Sequence, residues 1–139
     1  RNLSFLQSEL EKKNVKVNNH DLNNRPYKIE ADPNLLYRAF LNIFINAIQS
    51  INDGGNITIK IGEEKENYRV EIQDTGAGIS KENSKKIFNP FFTTKEKGSG
   101  LGLAIVKKII EGHKGEVWIE SEEGTGTSVF AKLPRKKLK

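Results

Sequence analysis

The chain has 139 residues, a formal net charge of +5 and no cysteine, which fits one domain and excludes disulfides and thiol chemistry. No apolar run reaches the roughly 20 residues of a membrane span, and no secretory leader is legible. Arg135, Lys136, Lys137 and Lys139 carry four positive charges, and without them the balance falls from +5 to +1. The basic character is therefore a tail at 135–139 following a domain at 1–134, not a nucleic-acid face, which needs a broader basic surface with interleaved aromatics. A cysteine-free composition suits a cytoplasmic domain, and a start at Arg1 reads as a piece of a longer protein.

Leu3, Phe5, Leu6 and Leu10 predict a first helix through about Lys13. Short strands are expected near Val15–Asn19 and Tyr27–Glu30. Asp32-Pro33 is a helix start, because Asp caps free N–H groups and proline is tolerated at the first helical position. That helix runs to about Ile51, where Asn52-Asp53-Gly54-Gly55 stops it. Ile57, Ile59 and Ile61 alternate with polar residues, as do Tyr68, Val70 and Ile72, giving two strands around a turn at Glu63–Asn67. A short helix near Lys81–Phe88 and a longer one at Leu101–Glu111 follow. Strands at Gly115–Ser121 and Thr127–Leu133 close the chain around Gly124. The sum is an α+β fold, a two-layer sandwich of a mixed, mostly antiparallel sheet with helices on one face.

Three polar features interrupt apolar faces. The helix after Pro33 is apolar almost all round, which predicts deep burial, yet Asn42, Asn46, Gln49 and Asp53 recur at spacings of four, three and four and share a stripe. The stripe faces either solvent or a ligand, and the asparagine oxygens are hard, neutral ligands that suit Mg2+, which takes few protein ligands. Asp74 keeps the inward parity of Tyr68, Val70 and Ile72, so its carboxylate either caps the Thr75-Gly76 turn or awaits hydrogen-bond donors from a ligand. Gly76 and Gly78 follow at once and leave room for a flat ligand. Thr127 shares parity with Val129, Ala131 and Leu133, and faces the same cavity as Asp74 if their strands are neighbours.

Gly98-Ser99-Gly100-Leu101-Gly102 leads directly into a helix beginning Leu103-Ala104. Free N–H groups and the helix dipole make such a start receptive to anions, and Lys95 and Lys97 lie just upstream. The pattern is neither G-x-x-x-x-G-K-[ST] nor G-x-G-x-x-G. Phe88, Phe91 and Phe92 are either ordinary core or anchors for a mobile lid.

NIFINA at 42–47, DTGAGI at 74–79, IFNPFFTTK at 87–95 and GSGLGLAI at 98–105 together resemble the N, G1, F and G2 boxes of the ATP-binding catalytic domain of sensor histidine kinases. That family belongs to the gyrase/chaperone/kinase superfamily with the Bergerat fold. NAIQS and PFFTTK look most like the nitrogen-regulatory subgroup. The resemblance implies ATP and Mg2+ as ligands, with Asn46 on the metal and Asn42 supporting it. It implies that Asp74 accepts the adenine amine, assisted by Thr127, while Gly76, Gly78 and Ile79 make room for the base. Residues from about Asn89 to Gly100, with Phe92 and Lys95, would form a lid. Gly98, Ser99, Gly100, Leu101, Gly102 and Leu103 would hold phosphates.

Two departures bear on chemistry. Gln49 stands where many of these kinases carry a lysine, and Lys95 and Lys97 are the candidates to replace its charge. Asn42 stands where gyrase-type ATPases place a general-base glutamate, and an amide cannot abstract a proton, so efficient intrinsic hydrolysis is not expected. Neither His20 nor His113 resembles a phosphoacceptor: His20 is expected at a strand end and His113 at a helix end. No residue is assigned as catalytic in the narrow sense. The resemblance implies partners in a dimerisation domain carrying the phosphoacceptor histidine and in a response-regulator receiver domain. It implies a monomeric isolated domain, a homodimeric full-length protein that is soluble or membrane-anchored, and no nucleic acid. A gyrase-type clamp, an ATP-sensing or partner-binding module and a serine kinase of the anti-sigma type are the alternatives.

Overall fold

Alternating apolar residues build five strands, and the computed structural model of the chain, which describes residues 8, 10–20, 31–89 and 102–135, joins them into one sheet. The strands are β1 (Val15–His20), β2 (Gly55–Glu64), β3 (Asn67–Asp74), β4 (Glu116–Glu122) and β5 (Gly126–Pro134). Their order across the sheet is β1-β2-β3-β5-β4. β1 runs parallel to β2 and the other pairs are antiparallel, so the mixed, mostly antiparallel expectation holds. The strand expected near Tyr27–Glu30 and most of the first helix lie outside the described residues, although 10–13 are helical.

Helix α1 (Pro33–Ser50) starts where its cap demands. Asp32 is extended, and its carboxylate accepts from the N–H groups of Asn34 and Leu35 at 2.9 and 3.2 Å. At the other end Lys13 Nζ donates to the Ile48 carbonyl at 3.1 Å, placing a cation on the negative end of the helix dipole. The helix is less buried than its composition predicts. Ala39, Ile43, Ala47 and Ile48 are buried, whereas Leu35 and Tyr37 stand 40% and 51% exposed. A helix lying on one sheet buries one stripe, and the apolar residues outside it stay at the surface. Asp53 falls beyond the helix and does not continue the Asn42–Asn46–Gln49 face.

The turn between β2 and β3 is tighter than expected, because pairing continues to Glu64 opposite Asn67. Helix α2 is limited to Lys81–Ser84, capped by Ser80 Oγ accepting from the Asn83 N–H. Beyond it the chain tightens into three-residue turns, with Lys86 N donating to Asn83 O and Asn89 N to Lys86 O. Helix α3 (Gly102–Gly112) ends at His113, which the sequence placed at a helix end. The half-buried His113 ring joins two helices. Its Nε2 accepts the Asp32 N–H at 3.0 Å, and its Nδ1 lies 2.8 Å from the Ile109 carbonyl.

The core sits between the helices and one face of the sheet. Ile43 and Ala47 of α1 and Val106 and Ile110 of α3 close on Ile57, Ile72, Val129 and Ala131. The outer face has its own layer. Trp118 and Phe130 stack with centroids 5.2 Å apart, and the Arg69 guanidinium covers both rings. On the inner parity, Arg135, assigned to the tail, lies over the Tyr68 ring and donates its backbone N–H to the Glu66 carbonyl.

Candidate functional site

The register decides which polar side chains meet. On the core face, Asp74 pairs with Thr127 across β3 and β5, and Thr127 pairs with Ser121 across β5 and β4. The next row on that face is Ile72, Val129 and Ile119. The inner surface is thus apolar until its last row, where a carboxylate and two hydroxyls stand side by side. The β3–β5 neighbourhood on which the pairing of Asp74 with Thr127 depended is present.

A cavity of about 220 Å³ opens at this row. Asp74 and Thr127 line it together with Ala77, Gly78 and Ile79 of the following loop. Ile43, Asn46, Ala47, Gln49 and Ser50 form the α1 wall, and Leu103, Ile87, Ile119 and Val129 supply apolar surface. The volume is below the roughly 300–1,000 Å³ of sites that enclose a drug-sized molecule. It suits one flat ring, with the rest of a larger ligand lying outside. Asn42, Gly76 and Gly102 do not line it.

Asp74 is 5% exposed and its Oδ1 accepts the Gly76 N–H at 2.9 Å. The carboxylate therefore caps the turn and faces the cavity at once, so the two readings of this residue are compatible. The loop after it is pinned along its length. Thr75 N donates to Asn56 O, Ala77 N to Ser50 O, and Ile79 N to Ser121 Oγ at 2.7 Å. Asn56 N donates to Thr75 Oγ1, and Gly124 N to Ala77 O.

The glycines of the loop have a packing reason of their own. A Cβ on Gly76 would lie 2.2 Å from Ser50 Oγ, and one on Gly78 would lie 2.1 Å from the Glu122 carbonyl, at a φ of +75°. Protein atoms occupy the space beside both residues, so the loop can sit between the end of α1 and the β4–β5 hairpin.

Asn46 is half-buried on α1 and its Nδ2 donates to the Asn42 carbonyl at 3.0 Å. That bond identifies the nitrogen end of the amide, so the oxygen, the end able to ligate a cation, is the other one. Gly102 brings the first turn of α3 to the same place, since a Cβ there would lie 3.4 Å from Asn46 Nδ2. A helix start thus lies beside the Asn46 amide. Among the described residues no group of three or more His, Cys, Asp or Glu side chains could hold a metal ion. Phe92, Lys95, Gly98, Ser99, Gly100 and Leu101 lie outside the described residues.

Sequence reasoning missed Ser50, Ile119, Val129 and Ser121. The signal for Ser121 was available, since it continues the inward parity of Val117 and Ile119.

A family model described as histidine kinase-, DNA gyrase B-, and HSP90-like ATPase matches residues 31–137. Sporulation kinase E of Bacillus subtilis (strain 168) is 44% identical over 107 residues, covering 76% of this chain and 14% of that protein. Sensor histidine kinase ZraS of Escherichia coli (strain K12) is 40% identical over 107 residues, covering 77% of this chain and 23% of its own length. The chain therefore spans about a seventh to a quarter of these relatives. Among solved structures, the nucleotide-free catalytic domain of histidine kinase ThkA superposes with a TM-score of 0.79 at 32% identity, covering 95% of this chain and 86% of that one.

Proposed function

The chain belongs to the family of histidine kinase-, DNA gyrase B- and HSP90-like ATPases and has the catalytic-domain type of the sensor histidine kinases, and we propose that it binds Mg-ATP and passes the γ-phosphoryl group to a histidine on a separate dimerisation domain, from which a response-regulator receiver domain takes it. The observation that carries this reading is the Asp74–Thr127 pair at the polar end of an otherwise apolar slot. Such a slot takes a flat base by its faces and reads its edge by hydrogen bonds.

The adenine amine donates to the Asp74 carboxylate, while Ile43, Leu103, Ile119 and Val129 offer apolar surface to the ring. Guanine presents an oxygen where adenine presents the amine, and two acceptors would then oppose each other. A site built around one buried hydrogen bond rejects such a mismatch by roughly 10⁴-fold. The triphosphate leaves the slot past Asn46 toward the start of α3, whose free N–H groups favour anions. Asn46 would hold Mg2+ through its amide oxygen, and the ion would neutralise charge on the phosphates.

In the transfer, a histidine ring nitrogen of the dimerisation domain forms a bond to the γ-phosphorus. The bond from that phosphorus to the β–γ bridging oxygen breaks, and ADP leaves with the electron pair. This domain contributes position and charge stabilisation rather than a base, because the imidazole is itself the nucleophile. Asn42 cannot abstract a proton from water, which favours transfer over hydrolysis. We assign residues 1–134 to this domain and place it in the cytoplasm as a monomer when isolated. Among the described residues no helix is long and apolar enough to cross a membrane.

Calorimetric titration with a non-hydrolysable ATP analogue and its GTP counterpart, with and without Mg2+, tests the reading. Adenine-selective binding that Mg2+ strengthens is expected, and Asn46→Ala should remove the Mg2+ enhancement while keeping adenine selectivity. Equal binding of both bases would reject the assignment of Asp74. Steady ATP turnover by the chain alone would favour a gyrase-type clamp. ATP binding without phosphorylation of a supplied dimerisation domain would favour a sensing module.

A further inference from the structure

We infer that Ser121, which does not line the cavity, sets the hydrogen-bonding sense of its polar end by forcing the Thr127 hydroxyl to act there as an acceptor; this rests on the nucleotide reading above. Ser121 Oγ has three polar neighbours: the Ile79 N–H at 2.7 Å, the Gly126 carbonyl at 3.1 Å and Thr127 Oγ1 at 2.7 Å. A serine hydroxyl has one proton and two lone pairs. The Ile79 N–H can only donate, so it takes one lone pair. The Gly126 carbonyl can only accept, so it takes the proton. The remaining lone pair meets Thr127 Oγ1, which must supply its own proton to that bond. Thr127 then has only lone pairs left for the cavity.

The consequence is a specificity rule. Asp74 and Thr127 are neighbours in the register, and both present acceptors. The polar end therefore takes donors only, from the ligand or from a water between them. The amine of adenine satisfies one acceptor. The adjacent ring nitrogen is itself an acceptor, so it cannot bond Thr127 directly and needs a bridging water that donates to both. Ser121 also holds the Ile79 end of the loop, so one hydroxyl couples the cavity floor to the hairpin.

Ser121 is thus a positioning residue, and its effect must pass through Thr127. A double-mutant cycle on ADP binding tests this, because residues acting through one another are non-additive. Ser121→Ala, which frees the Thr127 proton for the ring nitrogen, should shift ADP affinity by about tenfold in the wild-type background, the worth of one hydrogen bond, and by no more than about twofold in the Thr127→Val background. Ser121→Thr, which keeps the hydroxyl, should bind within about threefold of wild type. Shifts that simply add would make Ser121 a structural anchor for the loop and overturn the inference while leaving ATP binding intact. Absence of ADP binding by the unmutated chain would overturn the nucleotide reading and this one with it. Should Ser121→Ala fail to fold, NMR of the unmutated chain decides. A cross-relaxation signal from the Thr127 hydroxyl proton to the Ser121 β-protons is expected, and a Thr127 proton directed away from Ser121 overturns the inference.

Discussion

The two faces of the sheet bury polar groups in opposite ways. On the outer face Ser128 donates to Glu71 at 2.8 Å, and Arg69 lies over Phe130 and Trp118. These groups satisfy one another, and Phe130 is 4% exposed. On the inner face Asp74, Thr127 and Ser121 end a column of aliphatic residues and open onto a cavity. Burial alone does not separate the two clusters, since Ser128 and Thr127 are each 8% exposed. What separates them is the neighbouring space: a filled aromatic layer in one case, room for a ring in the other.

Mutations should divide along this line. Phe130→Ala removes the ring that both Trp118 and Arg69 cover, and should cost about 3–5 kcal/mol of stability by chemical denaturation, with the folded fraction binding ATP as before. A fall in affinity at saturating fold would show that the faces are coupled. Asp74→Asn reverses the pattern. The amide keeps an oxygen for the Gly76 N–H, so stability should change little, while ATP affinity falls by the worth of a charge-assisted hydrogen bond, about 1.5–3 kcal/mol. Severe loss of thermal stability in the ligand-free variant would make Asp74 structural first. The smallest effect is expected from Ser128→Ala, about 1 kcal/mol of stability and no change in nucleotide binding. Its strand neighbour Thr127 points the other way, so any binding defect in this variant would blur the distinction.

Much of the fold was legible because period-2 alternation and a Pro-primed cap are local signals. The Asp32 cap, the two central strands and the closing hairpin all appear close to where the residues predict them. The errors were also local in origin. The apolar content of α1 overstated its burial, since a side chain cannot report which helix face the sheet will cover. Close approach at the glycines of the 74–79 loop is no such error: Gly78 lines the cavity, and Ser50 and Glu122 stand beside Gly76 and Gly78. A missing side chain shows that something comes close, without saying what.

The sequence by itself determined which residues could face inward, because strand parity and helical spacing are properties of adjacent residues. It also carried the ordered boxes that mark the family. Only the tertiary structure decided that β5 lies between β3 and β4. Asp74 and Thr127 are far apart along the chain, and Ser121 reaches Thr127 through a hairpin register that no single strand encodes. A hydrogen-bond network is a statement about distances of about 3 Å, and those exist only once the sheet is assembled.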